Sequence, residues 1–139
     1  MRQILFLCLL ILAACGMRPS NIDFGKTTSK ELVSERGEPL EVRKISEVSS
    51  EIYQYDNNEK FQIKNDIVIQ GIFDPKGEEK SLLYWKHKLK ECDTSERMIK
   101  KPVGHEMPEY ELSCSSEGVT VIYSGGSEFV SRVIHHEKN

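Results

Sequence analysis

A chain of 139 residues with 19 basic and 22 acidic side chains, formal charge −3, has room for one compact domain or two very small ones. Its core is real but modest. The charge argues against a nucleic-acid binder, which needs a basic stripe to displace counterions from phosphates.

The chain opens with one basic residue, Arg2, followed by an uncharged apolar run over residues 4–14, the pattern of a secretory signal peptide. The run is short for a spanning helix, which needs roughly 20 apolar residues, and Arg18, Pro19 and Ser20 follow at once. A retained transmembrane helix is therefore the weaker reading. The run ends on Leu12-Ala13-Ala14-Cys15-Gly16, which resembles the lipobox of bacterial lipoproteins. There, small residues let an extended backbone enter the peptidase, and the cysteine thiol carries diacylglycerol as a thioether and becomes the new N-terminus. The resemblance implies cleavage after residue 14 and lipidation at Cys15, with two or three acyl chains such as palmitate. One chain gives only marginal membrane binding and several make anchoring stable. The alternative is an ordinary signal peptide whose apolar run ends in a cysteine, as another, Cys8, already lies within it. Gly16 stands where an aspartate often marks inner-membrane retention in enteric bacteria, so the resemblance favours the outer membrane, with the domain facing the periplasm. Removal of residues 1–14 leaves 18 basic and 22 acidic side chains, a charge of −4.

Residues 15–23 are polar, contain Pro19 and Asn21, and form a lipidated tether. A first unit, residues 24–77, begins with a helix. Thr28 and Glu31 are spaced as a capping box, Gly37 supplies the left-handed residue that ends a helix, and Pro39 prevents its resumption. Leu32 and Val33 are its only strong apolar contacts, so it must lean on a sheet. Residues 40–46 make a poor, mixed strand. Residues 51–55 and 60–64 alternate, with Tyr53 and Tyr55 in one and Phe61 and Ile63 in the other, joined across asparagines that tolerate positive φ. Asn65-Asp66 repeats the device before residues 67–73, the expected central strand, apolar on both faces, and Asp74-Pro75-Lys76-Gly77 closes an antiparallel meander.

A second unit, residues 78–139, opens with a helix over 78–91. Glu78 and Glu79 lie at its start and Lys86, Lys88 and Lys90 toward its end, as the helix dipole prefers. Leu82, Trp85 and Leu89 share a face. Residues 93–108, polar and holding Pro102, Gly104 and Pro108, are expected to be a loop. Residues 109–115, 118–124 and 128–136 alternate like strands, with turns at Glu117-Gly118 and Gly125-Gly126. The expected fold class is α+β: short helices packed on an antiparallel β-meander, with two helix-plus-sheet units as an open alternative.

With Cys8 discarded and Cys15 lipidated, Cys92 and Cys114 remain. An even pair in an exported domain suggests a disulfide. The rival is a metal pair with His105 between them, although the spacing lacks a close Cys-x-x-Cys or His-x-x-x-His step. His135-His136 on the last strand point to opposite faces and read as a surface pair rather than ligands of one metal. Asp66, Asp74 and Glu79 are explained by turn and cap duties.

The stretch over residues 26–39, preceded by a lipobox and followed by antiparallel strands, resembles the SmpA/OmlA family of small outer-membrane lipoproteins. This family includes the BamE-like subunits of the β-barrel assembly machinery and shares a helix-and-sheet fold with β-lactamase inhibitor protein. Thr28, Leu32, Gly37 and Pro39 match its motif. The opening glycine is displaced by one place to Gly25, and Arg36 stands where a leucine is expected. The motif is mostly helix punctuation and carries over no partner-binding residue; what it implies is an envelope scaffold.

The chain has no Gly-x-Ser-x-Gly elbow, phosphate loop or His-Glu-x-x-His zinc helix. The expectation is a non-catalytic, membrane-anchored binding module needing no cofactor. It would dock through its sheet on another envelope protein or on peptidoglycan, and serve outer-membrane assembly or integrity. The alternative is a small envelope hydrolase or metal-dependent enzyme using His105, Cys92 and Cys114.

Overall fold

The computed structural model describes residues 21–139. The signal segment 1–14, the lipidation site Cys15 and the tether as far as residue 20 lie outside the described residues. The first helix, α1 (Ser29–Arg36), starts where its capping pair dictates. Thr28 Oγ1 accepts the Glu31 N–H at 3.2 Å and Glu31 Oε2 accepts the Thr28 N–H at 2.8 Å, which gives partners to donors that a helix start otherwise leaves bare. The helix stops at Gly37, where φ is +82° and the N–H reaches Val33 O at 2.8 Å. Leu32 is the one buried residue of α1, so packing on the sheet holds this helix rather than its own propensity.

Four strands follow as an antiparallel meander: β1 (Glu41–Ile45), β2 (Ser50–Gln54), β3 (Lys60–Lys64) and β4 (Ile67–Phe73). Between β3 and β4, Asn65 and Asp66 take φ of +51° and +65°, the double positive φ of a tight primed turn that short polar side chains tolerate. A 3-10 turn (Gly77–Lys80) then leads into the second helix, α2 (Leu82–Lys88). Four more strands complete the chain: β5 (Ser95–Lys100), β6 (Glu109–Cys114), β7 (Val119–Ser124) and β8 (Val130–His136). The strand order is β1-β2-β3-β4-β8-β7-β6-β5, so the two meanders join antiparallel through β4 and β8.

This architecture corrects the expectation of an α+β fold with short helices on a meander. The molecule is dominated by one continuous eight-stranded antiparallel sheet, and its two α-helices span only 8 and 7 residues. Two readings of the sequence explain the difference. The helix expected over 78–91 shrinks to Leu82–Lys88, because residues 77–80 wind as a 3-10 turn and the helix closes at Leu89. The loop expected over 93–108 contains β5, all six residues of which are exposed. A strand at a sheet edge that buries neither face shows no period of two, so its sequence reads as a loop.

Both helices cover the same face. Phe61, Gly71, His135, Val119 and Cys114 are successive partners along one rung that crosses five strands, and partners on a rung share a face. Leu32 of α1 packs with Phe61, Ile63 and Val68 at one end of that face, together with Ile22 from the N-terminal approach. Trp85 and Leu89 of α2 pack with Leu112, Cys114, Val121 and Val133 at the other. The opposite face carries neither helix.

Candidate functional site

The sequence-predicted residues fall in three places. Thr28, Leu32, Gly37 and Pro39 punctuate α1: a cap, a core residue that is 0 % exposed, a left-handed stop and a proline two residues past it. Glu31, the partner of Thr28, has its carboxyl held below the ordinary value by the backbone N–H and hydroxyl of Thr28. These contacts account for the motif as helix punctuation.

Cys92 and Cys114 form a disulfide, with Cα atoms 6.1 Å apart and a sequence separation of 22. The bridge ties the segment after α2 to the end of β6, and the Ser116 hydroxyl lies 3.3 and 3.4 Å from the two sulfurs. A cleft of about 370 Å³ opens beside it, with Trp85, Leu89 and Val119 as its apolar wall and Lys88, Glu91 and Glu117 at its rim. His105 is exposed on the segment between β5 and β6 and does not line this cleft. Among the described residues, no cluster of three or more His, Cys, Asp or Glu is placed to hold a metal ion.

His135 and His136 point to opposite faces, as alternation along a strand requires, and both are half-buried rather than exposed. His135 stacks on Phe24 at 6.4 Å and meets Phe73 edge-on at 5.6 Å on the covered face. His136, on the open face, lies 2.9 Å through Nδ1 from Glu137 O and 3.3 Å through Nε2 from Thr120 Oγ1. Asp66 accepts from the Ser29 hydroxyl, Asp74 from the Asn58 amide at 3.0 Å, and Glu79 from the Lys76 N–H at 3.3 Å. All three pin turns or caps.

The face without helices is one continuous surface across the eight strands. Its middle rung runs across the whole sheet as Glu41, Gln54, Lys60, Ile72, Ile134, Thr120, Ser113 and Ser95. A parallel rung sets Arg43 beside Ile52, Gln62 and Gln70, and another sets Arg132 beside Ile122, Glu111 and Arg97. Ile72 and Ile134 are half-buried at the centre. Amides and hydroxyls around them bond one another: Gln62 Nε2 donates to Ser50 Oγ at 3.0 Å, and the Ser113 and Thr120 hydroxyls are 2.9 Å apart.

Charge is unevenly divided between this face and the rest. Its strands contribute six basic side chains, Arg43, Lys60, Lys64, Arg97, Lys100 and Arg132, and three acidic ones, Glu41, Glu109 and Glu111. Elsewhere residues 21–139 hold eleven basic and nineteen acidic side chains. Each of the three acids already pairs with a base on the same face: Glu41 with Arg43 at 3.3 Å, Glu109 with Arg132 at 3.4 Å, and Glu111 with Arg97. Lys100 pairs with Glu106 at 2.9 Å. Lys60 and Lys64 have no acidic side chain within 4 Å among the described residues. Sequence reasoning missed this surface, because its residues come from eight strands and share a face only once the register is known.

No family model, curated protein or solved structure matches the chain.

Proposed function

We propose that this chain is a bacterial lipoprotein, acylated at Cys15, that holds a non-catalytic binding module against a membrane leaflet and docks on another envelope component through its open sheet face. The reading is supported by one observation above all: both helices cover one face of the sheet, leaving a rigid eight-stranded surface bare on the other. A side chain on a strand within a sheet is held in place better than one on a loop, so the bare face is a pre-organised platform.

The anchor and the platform are close together in the chain. Ile22, the first residue packed in the core, lies seven positions after Cys15, and a fully extended chain of seven steps reaches about 25 Å. A lipid at Cys15 therefore keeps the sheet near the leaflet, where its partners would be membrane-proximal proteins or peptidoglycan. The lipobox resemblance favours the outer membrane, facing the periplasm, and the SmpA/OmlA-like motif favours a part in outer-membrane assembly or integrity.

Purification of the full chain from detergent-solubilised envelopes, beside a Cys15→Ala variant, tests the reading. The native chain is expected to fractionate with membranes and to bring down a stoichiometric envelope component, and the variant to be lost from the membrane fraction. Repeated recovery of the native chain alone, or membrane association that ignores Cys15, contradicts it.

A further inference from the structure

We infer that the open face receives the acidic surface of a partner protein, with Lys60 and Lys64 as its principal electrostatic contacts. The inference rests on the docking function proposed above and adds the chemistry of the partner. Three observations carry it. The first is charge: six bases against three acids on this face, in a chain that is otherwise strongly acidic. An acidic partner is drawn to this face and repelled by the remainder, so the asymmetry fixes which side docks.

The second is the arrangement of the charges. The three acids are tied to Arg43, Arg97 and Arg132, whereas Lys60 and Lys64 have no such tie among the described residues. Lys60 is the cross-strand partner of Ile72, which in turn faces Ile134. The centre is thus a pair of isoleucines beside an unpaired cation, a common interface pattern of apolar middle and polar surround.

The third is size. Eight strands about 4.8 Å apart and 5 to 7 residues long make a face of roughly 34 by 18 Å, about 600 Å² before side-chain relief is counted. This approaches the roughly 800 Å² per partner of a standard protein interface. A second copy of this chain is a poor occupant, because two faces of net positive charge repel each other. An anionic bilayer is the competing occupant, and a lipid adduct in the test below is the outcome that would identify it.

Site-specific photo-cross-linking in the bacterium that makes the full chain tests this. A benzoylphenylalanine is placed at Ile72 or Gln54 on the open face, and at Leu83, exposed on α2, as the control. The expected result is a protein adduct from Ile72 and Gln54 but not from Leu83, with acidic residues flanking the linked position in the partner. Its yield should fall roughly tenfold or more, the effect of about 1.4 kcal/mol of lost binding, in a Lys60→Glu, Lys64→Glu variant and in high salt. An adduct with the open face whose yield ignores both changes overturns the acidic partner and leaves the docking face standing. Adducts with lipid or with a second copy also overturn it. Absence of any adduct from Ile72 and Gln54, in variants that keep the native circular dichroism, overturns the docking face itself.

Discussion

Gly71 and His135 are cross-strand partners at the seam where the two meanders join. Gly71 is buried, and a Cβ built on it would sit 2.7 Å from the Phe73 ring and 3.1 Å from that of Phe24. The His135 ring stacks on the same Phe24. The missing side chain is therefore what lets two phenylalanine rings and the imidazole close over the junction.

Gly71→Ala is expected to force those rings apart. Overpacking a tight site costs about 1–3 kcal/mol, which for a domain of this size lowers the melting temperature by roughly 4–12 °C. Fluorescence of Trp85, the single tryptophan, only 1 % exposed, follows the unfolding. An unchanged or raised melting temperature would show that the seam has room to spare.

The Cys92–Cys114 bridge closes a loop of 22 residues, and in the chain-entropy model such a link contributes about 3 kcal/mol. A double Cys92→Ser, Cys114→Ser variant is expected to lose at least that amount in urea unfolding, since Cys114 is itself a buried member of the core with Trp85, Leu112, Val121 and Val133. Equal stability in the two proteins would contradict this role.

Tyr55 packs edge-on against Phe61 at 5.8 Å, and its hydroxyl is buried without a hydrogen-bond partner among the described residues. Burial raises its ionisation to about 12 from 10.0, with Tyr53 and Glu38 acting in the same direction and Arg36 against them. The neutral phenol is thus favoured in the folded state. Its contribution is complete below pH 10 and is lost as pH rises toward 12, where the unfolded chain has released the proton and the folded one has not. Tyr55→Phe is expected to be neutral or stabilising at pH 7, since it removes an unsatisfied polar atom, and to flatten the fall in stability between pH 10 and 12. A variant markedly less stable at pH 7 would point to an unrecognised partner for the hydroxyl.

How far the fold was legible depended on how local its signals are. Thr28, Glu31 and Gly37 act within one turn of α1, so spacing alone placed both ends of that helix. Asn65-Asp66 fixed the β3–β4 turn, and an apolar run placed β4 at the middle of a sheet; it is one of the two central strands. The β4–β8 junction joins segments some sixty residues apart through Gly71 and His135, and no local pattern announces it. β5 escaped because Met98 and Ile99 are exposed among charged neighbours. That error, with the shortened second helix, made the chain look more helical than it is. At the candidate site, the cysteine pair was readable from an even count, whereas Lys60, Ile72, Ile134 and Arg132 became neighbours only through register.

Mass spectrometry of the N-terminus of the native protein, isolated from whole lysates of the cells that make it, tests the central claim most directly. A mature chain beginning at Cys15, heavier than its sequence by a diacylglycerol group with or without a further acyl chain, is the expected result. A chain that retains Met1, or one that begins with an unacylated residue, would contradict the account of a lipid-anchored docking module.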